Sequence, residues 1–283
     1  MKTKTAISLL VGVLLLLIGA ALFLIPLANN GWDFSKLSGN RYQTKSYDIT
    51  EDFTKISVDL QSADIRILPA TDGGAKVISY ERSKEINEVK VEDGVLSITL
   101  IDTSKWYDHI SFFNFGKPAA TVYLPKAEYE ALSISLTTGD IQFGNIRAGV
   151  IAVENTTGDM EIRQIECTGA LTLKTGTGDI DLSDINAASL SIKATTGDLE
   201  LDRVTLKDAL TIRSTTGDVS FHTLDAGSID IHLSTGEVSG SVTKPMMFSA
   251  ESTTGKVRIP MPEAGGACRI ETTTGDITVT VKP

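Results

Sequence analysis

The sequence predicts an all-β chain: a right-handed parallel β-solenoid of the single-stranded β-helix type, with rungs of about 19–20 residues, preceded by one N-terminal transmembrane helix. Three observations predict it. A Thr-Gly-acid signature recurs with its glycine at Gly139, Gly158, Gly178, Gly197, Gly217, Gly236, Gly255 and Gly275, at steps of 19 or 20 residues. Apolar residues alternate with period two on both sides of each glycine, as in half-buried strands. Residues 6–28 carry no charge at all.

The uncharged run AISLLVGVLLLLIGAALFLIPLA is 23 residues long, enough to cross a hydrocarbon core of about 30 Å as a helix. Lys2 and Lys4 precede it and favour a cytoplasmic N-terminus, which sends the rest of the chain outward. A cleaved signal peptide would have an apolar run of about 7–15 residues and a small-x-small site. Here Pro26 stands three residues before Asn29, and no cysteine marks a lipoprotein junction. Residues 1–28 are therefore read as an uncleaved anchor in the cell membrane, with an extracytoplasmic remainder. Residues 29–46 are polar and rich in Gly, Ser and Asn, the composition of a flexible tether.

Residues 47–131 read as irregular first rungs and an N-terminal cap. Ile56, Val58, Leu60, Ser62, Ala63, Asp64, Ile65 and Ile67 match the repeat place for place, with Ala63 where glycine stands later. Ile56 lies 76 residues before Leu132, four units of 19. Strands are expected over 77–80, 86–91 and 95–101, with a hairpin turn at Asp93-Gly94. Trp106, Tyr107, Phe112, Phe113 and Phe115 cluster within ten residues. They could stack on sugars or rest at a bilayer interface, but plugging the open end of the solenoid is the favoured reading.

Residues 132–283 are the regular repeats. Leu132 and Ile134, Ile151 and Val153, Leu171 and Leu173, Leu190 and Ile192 open successive units; Ile141 and Phe143, Met160 and Ile162, Ile180 and Leu182 follow the glycine. A third apolar point recurs at Ile146, Ile165, Ile185, Val204 and Leu224, where the rung should close. In an antiparallel meander, equivalent places of successive units would not touch, and nothing physical would keep them alike. In a solenoid each stacks on its own equivalent about 4.8 Å away. Thr278–Lys282 is a bare alternating strand, and Lys282 with Pro283 would guard its edge.

The Thr-Thr-Gly-Asp rungs, the stretch LPKAEYEALSISLTTGDI (124–141) and the single anchor helix together resemble the bacterial putative-adhesin family, a domain of unknown function with β-strand repeats. That resemblance covers residues 47–283. It implies a β-helix-like ectodomain on the cell envelope, sometimes associated with envelope stress, and it carries no catalytic residue across.

The surface chemistry is acidic. The chain has 26 basic and 36 acidic residues, a net charge of −10, with no basic cluster, so nucleic acid is excluded as a partner. Asp140, Asp159 with Glu161, Asp179 with Asp181, Asp198 with Glu200, Asp218, and Glu237 form an outward ladder, broken at Lys256. It could bind calcium, but the favoured reading is that each Asp accepts a backbone N–H at its own corner. Lys174, Lys193 and Arg213, flanked by Glu154 and His232, form a basic stripe read as a solvated face. Asp179, Asp181, Asp198 and Glu200 are the acids a β-helix carbohydrate-active enzyme, a polysaccharide lyase or hydrolase, would use. The ladder is too regular for an active site, His109, His222 and His232 have no ligand or triad spacing, and Cys167 and Cys268 are too far apart to bridge. No catalytic, cofactor or metal residue is assigned. The expectation is a non-catalytic, membrane-anchored adhesin-like or envelope-scaffold module, with the membrane and an envelope glycan or protein as its partners.

Overall fold

The computed structural model describes residues 2–29, 31–32, 42–82, 84–103, 117–261 and 264–282. Most of the expected tether, the aromatic cluster from Trp106 to Phe115 with His109, and Pro283 lie outside the described residues. Two compact units emerge. The smaller holds the helix Lys2–Asn29 and the short segment in which Arg82 pairs with Glu85 at 2.9 Å. Within that helix, Leu10–Asn29 is long and apolar enough to cross a membrane, and Leu10 and Leu14 to Leu17 are exposed. A helix apolar on every side has no aqueous face to present.

The larger unit is a stack of parallel rungs. Glu128–Thr138, Ile141–Thr157, Met160–Thr177 and Ile180–Thr196 pair in register, so that Ile141, Met160 and Ile180 stack on one another, as do Ile151, Leu171 and Leu190. The same columns continue through Leu199–Leu206, Ala209–Thr216, Val219–Asp225 and Ser228–Thr235. Equivalent corners therefore rest on each other, the arrangement a meander cannot produce. Leu132, Ile151, Leu171, Leu190, Leu210 and Ile229 form one buried column, and Ile141, Met160, Ile180, Leu199 and Val219 another. Each such side chain contributes about 1.5–3 kcal/mol on burial.

Each rung turns at three places. The first is the Thr-Thr-Gly corner. The second is a residue with positive φ that is not glycine: Asn145 (59°), Gln164 (54°), Asp184 (55°), Arg203 (51°) and Thr223 (57°). It immediately precedes the third apolar point. The last turn absorbs the difference between 19- and 20-residue steps, because the register slips by one residue between Cys167 and Leu171 against 148–151.

Both ends depart from the order of the sequence. Lys55–Ser62 lies between Glu128–Thr138 and Val95–Asp102, with Ile56 paired to Leu132 on one side and Leu96 on the other. Asp64–Pro69 likewise lies between Ile141–Thr157 and Ala119–Leu124. At the opposite end, Ala267–Thr274 inserts between Ser228–Thr235 and Met247–Thr254, and Ile277–Val281 between Val238–Val242 and Val257–Arg258. The C-terminal strand is thus flanked on both edges at Ile277 and Thr278 and on one edge beyond, so Lys282 does not stand at the end of the stack as expected, and Pro283 lies outside the described residues. The outermost rung there is 247–258, and Lys256, Arg258 and Pro260 occupy its edge, where charge and proline discourage further pairing. At the N-terminal end Ala75–Arg82 covers Ala119–Leu124 in antiparallel register, and Asp93 (51°) with Gly94 (74°) makes a primed hairpin turn.

Behind the glycine corners the core is polar. Asn155, Thr175 and Ser214 are buried; Asn155 Nδ2 donates to the Gly139 and Gly158 carbonyls at 2.8 and 3.1 Å, and Ser252 Oγ donates to the Gly275 carbonyl at 2.8 Å. Asn155 and Ser252 thus tie down corner carbonyls that lie away from the ladder, whereas the Thr175 and Ser214 hydroxyls are buried without a hydrogen-bond partner.

Candidate functional site

The acidic face is built by the corners. At Gly217, φ is +133° and a Cβ would lie 2.0 Å from the carbonyl oxygen of Gly197, so close stacking and backbone conformation both demand glycine. Ala63 heads the column without positive φ, which explains why alanine is tolerated there. Close stacking brings each corner Asp over the next. The N–H of Asp140 donates to Asp64 Oδ1 at 2.9 Å, that of Asp159 to Asp140 at 3.2 Å, that of Asp179 to Asp159 at 2.9 Å, and that of Asp198 to Asp179 at 2.8 Å. The series continues from Asp218 to Asp198 and from Glu237 to Asp218, both at 2.8 Å. The acids do accept backbone N–H groups, but those of the neighbouring rung rather than of their own corner.

Lysines close the ladder at both ends. Lys117 Nζ reaches Asp64 at 2.6 Å and Asp140 at 3.3 Å; the bond to Asp64 is the main cause that raises its pKa. At the far end Lys256 donates its N–H to Asp276 Oδ1 at 2.7 Å. Because 267–281 inserts before it, Lys256 ends the stack and does not interrupt the ladder as the sequence order suggested.

The second acidic column, Glu161, Asp181 and Glu200, is in register on consecutive rungs. Partial burial, then repulsion from Glu200, Asp179, Glu161 and Asp159, raises the pKa of Asp181. The four acids singled out from the sequence, Asp179, Asp181, Asp198 and Glu200, thus share one regular face. These carboxylates line up rather than converge: among the described residues no group of three or more His, Cys, Asp or Glu side chains could hold a metal ion. The basic stripe is also in register, Glu154, Lys174, Lys193, Arg213 and His232, followed by Glu271 on the inserted strand. Two of its cations are paired locally, Lys174 at 3.7 Å from Glu154 and Arg213 at 2.5 Å from Asp230, and the His232 ring lies 2.9 Å from Asp230 and 2.8 Å from Glu271. Cys167 and Cys268 are buried and unbridged, and burial pushes the Cys268 thiol up to about 12.

The concave feature lies elsewhere, along the second bend, and no single motif marked it. A groove of about 710 Å³ runs across the rungs between Asn145, Gln164 and Asp184 on one side and Glu128, Arg147, Glu166 and Asn186 on the other, with Ile146 and Ile165 at its floor. Arg147 grips Glu166 through two bonds of 2.7 and 3.2 Å, and Arg203 grips Asp184 through two of 2.6 and 3.0 Å. Through Asn186 the groove meets a second hollow of about 450 Å³ that reaches Lys207, Asp225 and Met246. The signal available in the sequence was a run of amides and charges at fixed places after each glycine, masked by the variety of residue types.

The family described as Toastrack DUF4097 matches residues 53–283. A Bacteroides fragilis chain described as a putative adhesin shares the fold: 17% identity, 85% of this chain and 97% of that one covered, TM-score 0.56. Two Parabacteroides distasonis structures align more loosely. One is described as a putative lipid binding protein (15% identity, 84% and 98% covered, TM-score 0.43) and the other as a putative adhesin (16%, 86% and 95%, TM-score 0.27). No curated protein matches the sequence.

Proposed function

This chain belongs to the Toastrack DUF4097 family, and from that premise we propose that it is a non-catalytic, adhesin-like binding scaffold held on the outer side of a bacterial cytoplasmic membrane by its N-terminal helix. The observation that carries this reading is the division of labour on the surface. The regular acidic face is occupied with holding rungs together, one Oδ1 of Asp140, Asp159, Asp179, Asp198 and Asp218 each taking the next rung's N–H. The concave groove is left as the place where a partner can be received. A carbohydrate-active enzyme would need two carboxylates set apart from the repeat at a defined separation, and Asp179, Asp181, Asp198 and Glu200 are instead members of two unbroken columns.

The proposed address rests on the helix: an apolar span preceded by Lys2 and Lys4 supports a cytoplasmic N-terminus and a solenoid outside. Protease shaving of intact cells tests this. Digestion of an epitope on the solenoid with protection of an N-terminal tag is the expected result, together with no release of reducing ends from envelope polysaccharide. Protection of the solenoid, or product release, overturns the reading.

A further inference from the structure

Building on the binding-scaffold reading, the groove along the second bend identifies its partner class. We propose that it receives a neutral, linear glycan laid along the solenoid axis, about one sugar to each rung. The lining repeats in the axial direction. Asn145, Gln164 and Asp184 occupy one place on successive rungs; Arg147, Glu166 and Asn186 occupy another. Successive rungs are separated by about 4.8 Å, close to the advance of one pyranose ring in an extended chain.

Charge excludes the other linear polymers. In a chain of net charge −10, this groove is close to balanced: Lys126 and Arg147 line it against Glu128, Glu166 and Asp184, and Arg203 beside the lining holds Asp184. Both arginines already hold carboxylates in two-bond pairs, so an incoming polyanion would have to displace an existing partner and a polycation would find no excess negative charge. Lys126 and Glu128 offset each other in charge, and the other polar groups left to a ligand are the exposed amides of Asn145, Gln164 and Asn186. An amide both donates and accepts, which matches a hydroxyl that does the same. Length also fits: the groove continues past Asn186 into the second hollow, so a hexamer finds contacts that a trimer cannot reach.

The test uses the full chain in lipid nanodiscs and calorimetric titration with cellohexaose and chitohexaose (neutral), hexagalacturonate (anionic) and a chitosan hexamer (cationic). A neutral hexamer should bind, about tenfold more tightly than its trimer and more tightly than either charged hexamer. Asn186→Ala should weaken it about tenfold, the loss of one or two hydrogen bonds, with an unchanged melting temperature. Lys174→Ala, on the basic stripe, should leave affinity unchanged. Binding of neither neutral hexamer, tighter binding of a charged one, or indifference to Asn186→Ala overturns the proposal. Protease shaving is independent of these titrations, so a misplaced solenoid and a wrong ligand class are separable results.

Discussion

The backbone N–H of Asp179 donates to a carboxylate oxygen of Asp159 across one rung, at 2.9 Å. The bond needs an acceptor at that point in space, not a charge. Asp159→Asn keeps the acceptor and relieves repulsion along the ladder, so stability should hold or rise slightly. Asp159→Ala removes the acceptor and should cost about 0.5–1.5 kcal/mol, limited because water can reach the exposed corner. Urea unfolding of the two variants side by side checks this; equal losses would show that the carboxylate is not a structural acceptor.

Asp181 shows the opposite side of the same face. Its pKa is raised by partial burial and by Glu200, Asp179, Glu161 and Asp159. A carboxyl with a raised folded-state pKa holds its proton more tightly when folded, so its stabilising contribution is present below the ordinary value of 3.8 and is lost as pH rises through the folded value. Asp181→Asn should therefore raise the melting temperature at pH 7, by no more than about 3 °C given the screening at an exposed site. The gain should vanish as pH falls below 4. A gain that grows on acidification contradicts the sign.

Gly217 tests the close approach of the corners. Alanine there would carry a Cβ 2.0 Å from the Gly197 carbonyl oxygen, at a φ of +133°. Neither atom is at the end of a flexible side chain, so the rung must lift. Gly217→Ala should cost at least about 3 kcal/mol, read as loss of soluble protein or a large drop in the urea midpoint. Ala63→Gly, at the head of the same column, should change stability by less than about 1 kcal/mol. Tolerance of alanine at Gly217 would mean that the corners do not stack as closely as described.

The corner glycines were legible because no other residue fits their place, and the buried columns were legible because like residues recur where like surfaces meet. The destination of each Asp was not. An acid beside a glycine signals that it accepts an N–H, but whether that N–H belongs to its own turn or to Asp179 one rung on depends on stacking distance. The second bend was hidden for a different reason: only the backbone of Asn145, Gln164, Asp184, Arg203 and Thr223 needs positive φ, so the side chains are unconstrained and show no motif. The groove inherits that invisibility, since it is assembled from those bends. The exchanged ends were hidden by the repeat itself. Units so alike can stack in more than one order, and the 76-residue interval from Ile56 to Leu132 was the one numerical trace of their pairing.

Hydrogen exchange should expose that exchanged order directly. Ala267–Thr274 has paired strands on both sides, Ser228–Thr235 and Met247–Thr254. Met247–Thr254, twenty residues earlier, pairs with Ala267–Thr274, and among the described residues no strand pairs its other edge. Terminal segments ordinarily fray first. Here the amides of 267–278 should exchange more slowly than those of 247–258, by about tenfold or more, because opening the inserted strand breaks two ladders while opening the outer rung breaks one. Arg258 at the outer edge should remain among the fastest strand amides of this end. Protection that falls steadily toward the C-terminus would mean that the rungs follow the sequence, and that the last strand forms an open edge after all.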